Sequence, residues 1–407
     1  MKTPRSLLAA VGLVLACGSS PLVAADSTGP NRVQFKFATQ TLSVPEGFTV
    51  ELVAAPPAVN RPISIALDEL GRLYATDSSG LSERSDKQFE LKPHRIDRLV
   101  DTKGDGRFDR ATVFAEHMMF PQGAMFYEGS LYVGAPPHIW KLTDTNDDGV
   151  SDEREAWYDG KTLTGCANDL HGPYFGPDGW FYWTKGASAE QTHTLQNGKN
   201  FVSRAAHILR SRPDGTGFEP VLTGGMDNPV GVTFTASGER ILSGTFFQIG
   251  VAGKRDGLIH SIYGGVYGKE QPSTIGHPRT GDLMPIMTHM GAAAPCGSTT
   301  YRSRQFGADY EGNLFVCYFN LRKISRHQLV PDGATFKTID TDFVTSDSLD
   351  FHPTDVLDDA DGSLLVVDTG GWYKICCPTS QIAKPDILGA IYRLRRIGAP
   401  KINDPRG

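Results

Sequence analysis

The stretch DLHGPYFGPDGWFYWTKG, Asp169–Gly186, decides the architecture. A polar lead-in (Asp-Leu-His-Gly) precedes a short apolar strand, a Pro-Asp-Gly turn and a second apolar strand ending at Lys185. Two alternating runs joined through Asp-Gly are the signal of a β-hairpin. The same order of features returns at RPISIALDELGRLYATD (Arg61–Asp77), FPQGAMFYEGSLYVGA (Phe120–Ala135) and NPVGVTFTASGERILSGT (Asn228–Thr245). It returns again at CGSTTYRSRQFGADYEGNLFVCYF (Cys296–Phe319) and HPTDVLDDADGSLLVVDTG (His352–Gly370), making six copies. Their spacing, roughly 50 to 65 residues, is that of propeller blades with some long loops.

A second hairpin follows each copy, as in HRIDRLVDTKGDGRFDRATVF from His94 and ISRHQLVPDGATFKTI from Ile324. Two hairpins make a four-stranded blade. The last copy ends at GAIYRLRRIG with three strands, and FTVELVAA from Phe48 supplies the fourth. That strand closes the ring and removes its exposed edge. The expected fold is all-β, a six-bladed β-propeller over residues 40–397, with a flexible segment at 26–39 and a tail at 398–407. A β-sandwich with coincidental repeats is the competing reading, which six matching hairpin pairs disfavour.

Residues 1–25 read as a signal peptide: Lys2 and Arg5, then LLAAVGLVLA, then a small-residue cleavage site ending at Ala25. VLAC ending at Cys17 is a competing lipobox, with Cys17 the lipid-bearing residue. On either reading the protein is exported, to the periplasm or outer surface, where disulfides are permitted. Gly (45) and Pro (26) are abundant among the 407 residues, which suits short strands and turns. A net charge of −6 leaves no basic excess for phosphates and excludes nucleic acid as the main partner.

In a propeller, residues just before a blade's first strand and just after its second converge on one mouth of the central channel. Before the first strands stand Gln122, Asn168, Asp169, His171, Asp227, Asn228, Cys296 and His352, with Asp355 just inside. After the second strands come Asp77, Lys185, Trp372 and Lys374, with Cys376 and Cys377 in the same loop. His171 is the candidate general base, with Asp169 and His352 beside it; a structural histidine is the bland alternative. Cys376 and Cys377 either close a vicinal ring or pair across the mouth with Cys166 and Cys296, and spacing does not choose. Cys317 reads as a buried thiol in mid-strand.

DTNDDGVSDERE places Asp144, Asn146, Asp148, the Val150 carbonyl, Asp152 and Glu155 at positions 1, 3, 5, 7, 9 and 12 of an oxygen-ligand Ca²⁺ loop. DTKGDGRFDRAT is a weaker echo through Asp101, Asp105 and Asp109. Both join third and fourth strands, so any Ca²⁺ there is structural and on the bottom edge. Solvated acidic hairpin tips are the alternative.

GFTVELVAAPPAVNRPISIALDELGRLYATD, DTKGDGRFDRATVFAEHMMFPQGAMF, NDLHGPYFGPDGWFYWTKG and GGMDNPVGVTF resemble the PVC-type membrane-bound dehydrogenase propeller over nearly the whole mature chain. That family is related to the glucose/sorbosone dehydrogenases that use pyrroloquinoline quinone (PQQ). The resemblance implies a mouth site in which a histidine before the third blade removes a sugar hydroxyl proton. It also implies an Arg-Asn-Pro before the fourth blade that holds the quinone, with Lys and Arg on its carboxylates. Here Asp227-Asn228-Pro229 puts aspartate in place of that arginine, and the base position falls on Asn168, three residues before His171. A carboxylate beside a tricarboxylate is unfavourable unless Ca²⁺ lies between. Lys185, Lys374 and Arg322 are left to supply positive charge, with Cys376–Cys377 as a platform for a flat cofactor. No Cys-x-x-Cys-His haem motif occurs, so a separate c-type cytochrome would accept electrons.

Three functions compete. The first is a dehydrogenase oxidising a sugar or polyol hydroxyl. The second is a non-catalytic glycan- or protein-binding propeller. The third is a Ca²⁺-dependent lactonase-type hydrolase using Asn168, Asp169, Asp227, Asn228 and Asp355. Lysines converging on the mouth favour the quinone, carboxylates and amides converging favour Ca²⁺, and neither favours a binding module.

Overall fold

The structure, a computed structural model, describes residues 31–371, 384–400 and 402. The first blade runs outward as Pro62–Leu67, Leu73–Asp77, His94–Val100 and Arg110–Met118. The innermost strands of the next five are Gly123–Tyr127, His171–Phe175, Asn228–Phe234, Pro295–Thr300 and Pro353–Asp358. These six strands touch one another in a closed circle, the sixth returning to the first. The chain is a six-bladed β-propeller, as the hairpin count requires.

Position within a blade dictates composition. Second strands lie between neighbouring blades on both faces, so Phe181–Lys185, Leu314–Tyr318 and Leu364–Asp368 are buried at every residue. The outermost Glu153–Asp159 is mostly exposed. The turn between first and second strands needs a left-handed residue, and glycine supplies it: Gly179 at φ +77° and Gly362 at φ +79°.

Closure occurs as expected. Phe48–Ala54 pairs antiparallel with Ala390–Arg396 and completes the sixth blade. The segment before it is more ordered than its composition suggests. Arg32–Lys36, placed by sequence in a flexible lead-in, is a strand paired with Thr41–Pro45, which extends the outer edge of the fifth blade. Val33 and Phe35 hold it by packing on the core there.

Three additions decorate the ring. A helix, Ser85–Leu91, and a hairpin, Gln191–Thr194 with Asn200–Ser203, leave second strands and so belong to the mouth side. A long insertion follows Asp256–His260 in blade four. Its strand Val266–Tyr267 pairs parallel with Glu219–Gly224, so it climbs the rim of blade three towards the mouth.

The acidic hairpin tips do not form the expected Ca²⁺ cages. Asp144 accepts Gly149 N–H (2.8 Å) and the buried guanidinium of Arg98 (3.2 Å). Asp152 accepts the backbone and hydroxyl of Thr145 (2.8 and 2.9 Å), and Asp148 accepts Val150 N–H (2.8 Å). The echo loop repeats this: Asp101 accepts Gly104 and Gly106 N–H (2.8 and 2.7 Å), Asp109 accepts Thr102 N–H (2.8 Å), and Asp105 accepts Arg107 N–H (3.0 Å). Glu155 lies in the exposed strand, paired with Lys141. Among the described residues no three acidic, His or Cys groups gather as a metal set. Backbone amides and Arg98 instead bond the oxygens that would have to converge on a cation.

Candidate functional site

A cavity of about 660 Å³ opens at the mouth and runs down the axis. Each blade's first strand contributes to it, through Ile65, Ala124, Tyr174, Val230, Ser298 and Val356. Phe120, Phe246 and Phe319 add aromatic walls.

His171 lines this cavity, as the repeat predicted. Its Nε2–H donates to Asn228 Oδ1 (2.7 Å), which fixes the tautomer and leaves Nδ1 as the lone-pair nitrogen. Burial pulls the imidazole down to about 4, only partly opposed by the Asn228 bond and Asp169. It is therefore neutral at neutral pH and free to accept a proton. Asn168 braces the rim: its Nδ2 donates to the Asp227 carbonyl (2.7 Å) and its Oδ1 accepts from Thr164 Oγ1 (2.7 Å). The Asp227 carboxylate, also lining the cavity, accepts both of its bonds from Lys269 Nζ (3.0 and 3.1 Å).

Deeper in the channel, Asp355 accepts from Ser64 Oγ (2.8 Å) and Ile65 N–H (3.0 Å), and burial lifts it to about 6. Cys296 lies nearby as a free thiol. Burial first, then Asp355 and Asp256, push it up to about 12, so it is a protonated, inert group.

Several expected residues turn away. Asp169 is buried, does not line the cavity, and accepts Thr162 Oγ1 (2.9 Å) and Thr164 N–H (2.7 Å), fastening its own loop, of which Thr164 and Asn168 do line it. His352 donates Nδ1–H to the Gly370 carbonyl (2.6 Å) and stacks on Phe319 at 4.6 Å, so Phe319 stands between it and the cavity. Lys185 ends an all-buried strand and gives its ammonium to the carbonyls of Gly186 (2.9 Å) and Ala205 (3.0 Å). Burial pulls it down to about 8. Asp77 accepts Asn60 N–H, holding the lead-in to its own blade. Arg322 is not in the cavity wall. Trp372, Lys374, Cys376 and Cys377 lie outside the described residues, as do Cys17 and the leader. Cys376 and Cys377, the other candidate partners across the mouth, lie outside the described residues, and Cys296 is a free thiol. That removes the pairing through Cys296.

Two charged residues escaped sequence reasoning. Arg255 lines the cavity and forks onto Asp256 (2.8 and 2.6 Å). It stands just before a third strand, and third strands also start on the mouth side, a signal the sequence contains. Lys269 comes from the insertion, whose path no repeat reveals.

The sequence model of a family described as "Domain of unknown function (DUF7133)" matches residues 34–389. The chain belongs to the DUF7133 family. The comparison with curated proteins found no match. Among solved structures, the DUF7133 chain is similar to an oxidoreductase from Thermus thermophilus described as a glucose dehydrogenase. Identity is 19% and the TM-score 0.58, with 86% of this chain and 100% of that one covered. It is similar to the PQQ-bound aldose sugar dehydrogenase of Streptomyces coelicolor (16%, TM-score 0.57, 86% and 100% covered). It is also similar to the PQQ domain of pyranose dehydrogenase from Coprinopsis cinerea (13%, TM-score 0.59, 89% and 98% covered). At such identities the likeness shows the fold alone, a six-bladed propeller shared with those three proteins.

The wall can be tested against PQQ by its charges. Among the described lining residues the cation is Arg255, already forked onto Asp256, and Asp227 faces the same space. A tricarboxylate would bring three charges to a wall where Asp227 is matched by Lys269 and Asp355 is held by neutral donors, Ser64 and the Ile65 N–H. The described residues do not fit PQQ, and no step is derived through it. Nor do they form the lactonase set, because Asp169, Asp227 and Asp355 point to separate partners.

Proposed function

We propose that this protein is a dehydrogenase-type propeller that takes an uncharged sugar or polyol at its mouth, with His171 as the base for the reacting hydroxyl. The observation that carries this reading is the His171–Asn228 bond of 2.7 Å, which presents a neutral imidazole of fixed tautomer in the wall of a cavity with aromatic sides. Aromatic faces suit sugar rings, and a neutral histidine with one nitrogen already bonded suits proton abstraction. Asn228 positions the ring, and Asn168 holds the loop that carries Asn228. In this reading the hydride leaves the carbinol carbon for a bound quinone without carboxylates, which becomes the quinol, and His171 takes the hydroxyl proton. A separate c-type cytochrome is the onward electron carrier. Export through the leader at residues 1–25 is part of the proposal.

The experiment is a titration of the purified mature protein with a panel of sugars and polyols. Binding is followed by calorimetry and turnover by dye reduction, with and without PQQ, a quinone lacking carboxylates, and Ca²⁺. Saturable binding with turnover supports the dehydrogenase. Binding without turnover under every condition replaces it with a carbohydrate-binding propeller. Lactone hydrolysis that requires Ca²⁺ would sink both.

A pH profile gives an independent check. The base works as neutral imidazole, and its folded value lies near 4 against an ordinary value near 6.5. Protonation therefore removes activity only as pH falls through about 4. Expected is a kcat/KM that is flat from pH 7 down to about 5 and then drops tenfold per unit below 4. An acid limb that persists unchanged in His171→Ala would show that His171 is not the group being titrated.

A further inference from the structure

Asp227, at the start of blade four, is not a bare charge. Both bonds from Lys269 Nζ fall on its carboxylate, at 3.0 and 3.1 Å. The lysine arrives there by construction. Val266 and Tyr267 pair with Thr223 and Gly224 on the rim of blade three and carry the insertion up to the mouth. Gly225 lies so close under it that a Cβ would stand 1.8 Å from the Lys269 carbonyl oxygen. Only glycine admits that approach, and it sets where Lys269 stands. The ammonium lies 5.6 Å from the centre of the Phe246 ring, and Phe246 and Asp227 both line the cavity. Elsewhere in the same wall Arg255 is matched by Asp256.

We propose that the Asp227–Lys269 pair sets the charge selectivity of the mouth, admitting uncharged polyols and rejecting carboxylated ligands such as sugar acids and polycarboxylate quinones. This rests on the reading of the mouth as a sugar site and names the class of sugar. With the pair intact, an incoming carboxylate meets Asp227 at the wall and a lysine already neutralised. Without the Asp227 charge, the same lysine becomes a positive group beside a cavity with apolar sides, where Coulomb attraction is stronger than in water. The side chain of Asp227 is 40% exposed, so the effect is screened by salt.

The test compares the wild-type protein, Asp227→Asn and Lys269→Met by calorimetric titration with glucose, glucitol, gluconate and PQQ, at low and high salt. Asp227→Asn is expected to raise affinity for gluconate and PQQ at least tenfold at low salt, with the gain shrinking as salt rises. Lys269→Met is expected to weaken whatever anion binding the wild type has. Neutral-sugar binding by the wild type together with unchanged anion affinity in a folded Asp227→Asn overturns the proposal and leaves the sugar site standing. Gain of gluconate binding in Asp227→Asn with no neutral-sugar binding by the wild type supports the charge role and removes the sugar-site reading. Failure of all three proteins to bind any anion overturns the proposal, because an unmatched Lys269 must attract one.

Discussion

Replacing His171 with alanine is expected to lower kcat/KM for the best sugar or polyol by roughly 10² to 10⁴, the usual worth of a positioned general base. The reason lies in the arrangement of two side chains. Asn228 takes the Nε2 proton of His171 at 2.7 Å, so the ring has one orientation and one basic nitrogen. Alanine removes that nitrogen and leaves Asn228 with no partner for its carbonyl. Binding should suffer less than turnover, because the aromatic walls formed by Phe120, Phe246 and Phe319 are untouched. The residual activity should also lose its acid limb near pH 4. Asn228→Leu provides the companion measurement: the base remains but its orientation is lost, so kcat falls while an acid limb persists. Initial rates of dye reduction for the three proteins, measured from pH 3 to 8, decide the matter. A His171→Ala protein within threefold of wild type would remove His171 from the reaction.

Replacing Phe48 with alanine is expected to destabilise the propeller by about 3–5 kcal/mol, the range for a buried aromatic truncated in a core. Phe48 begins the closing strand and is fully buried. Its ring meets Phe306 edge-on at 4.9 Å and Phe343 at 5.1 Å, both from blade five, while Arg396 of blade six covers it at 4.9 Å. One side chain thus ties the closing strand to two blades. Leu52 lies in the same strand but is 36% exposed, and its alanine variant should cost less than about 1 kcal/mol. Urea unfolding of both variants supplies the comparison. Equal losses for Phe48→Ala and Leu52→Ala would show that the junction carries no special share of the stability.

The blade repeat was legible because turn chemistry and strand period are local. A glycine able to take positive φ, as at Gly179 and Gly362, can be counted without knowing what the hairpins touch. The closing strand was legible by subtraction, since the sixth copy lacked a fourth strand. The mouth was legible only in outline. Topology brings Asn168, Asp169 and His171 to one rim, but it does not say which side of the backbone each side chain takes. Asp169 turned to Thr162 and Thr164, whereas His171 took the axis. Lys185 misled for a related reason. It ends a strand packed between blades, and its nearest polar partners are carbonyls, not the channel. The acidic loops misled because ligand spacing counts oxygens and ignores competitors. In the folded chain, backbone amides and Arg98 reach those oxygens.

The junction between Phe48–Ala54 and Ala390–Arg396 also sets an order of events in time. Its two sides are separated by about 350 residues, a loop whose closure costs entropy before any contact repays it. The early side emerges first and waits with an open edge for a partner that follows more than 330 residues later. Five blades can assemble as they are synthesised, while the sixth waits. Folding should therefore end in one slow, long-range step, during which an unpaired strand is available to other copies. A circular permutant cut between blades, with the natural ends joined by a linker, would make the sixth blade contiguous in synthesis and shorten that wait without altering the mouth.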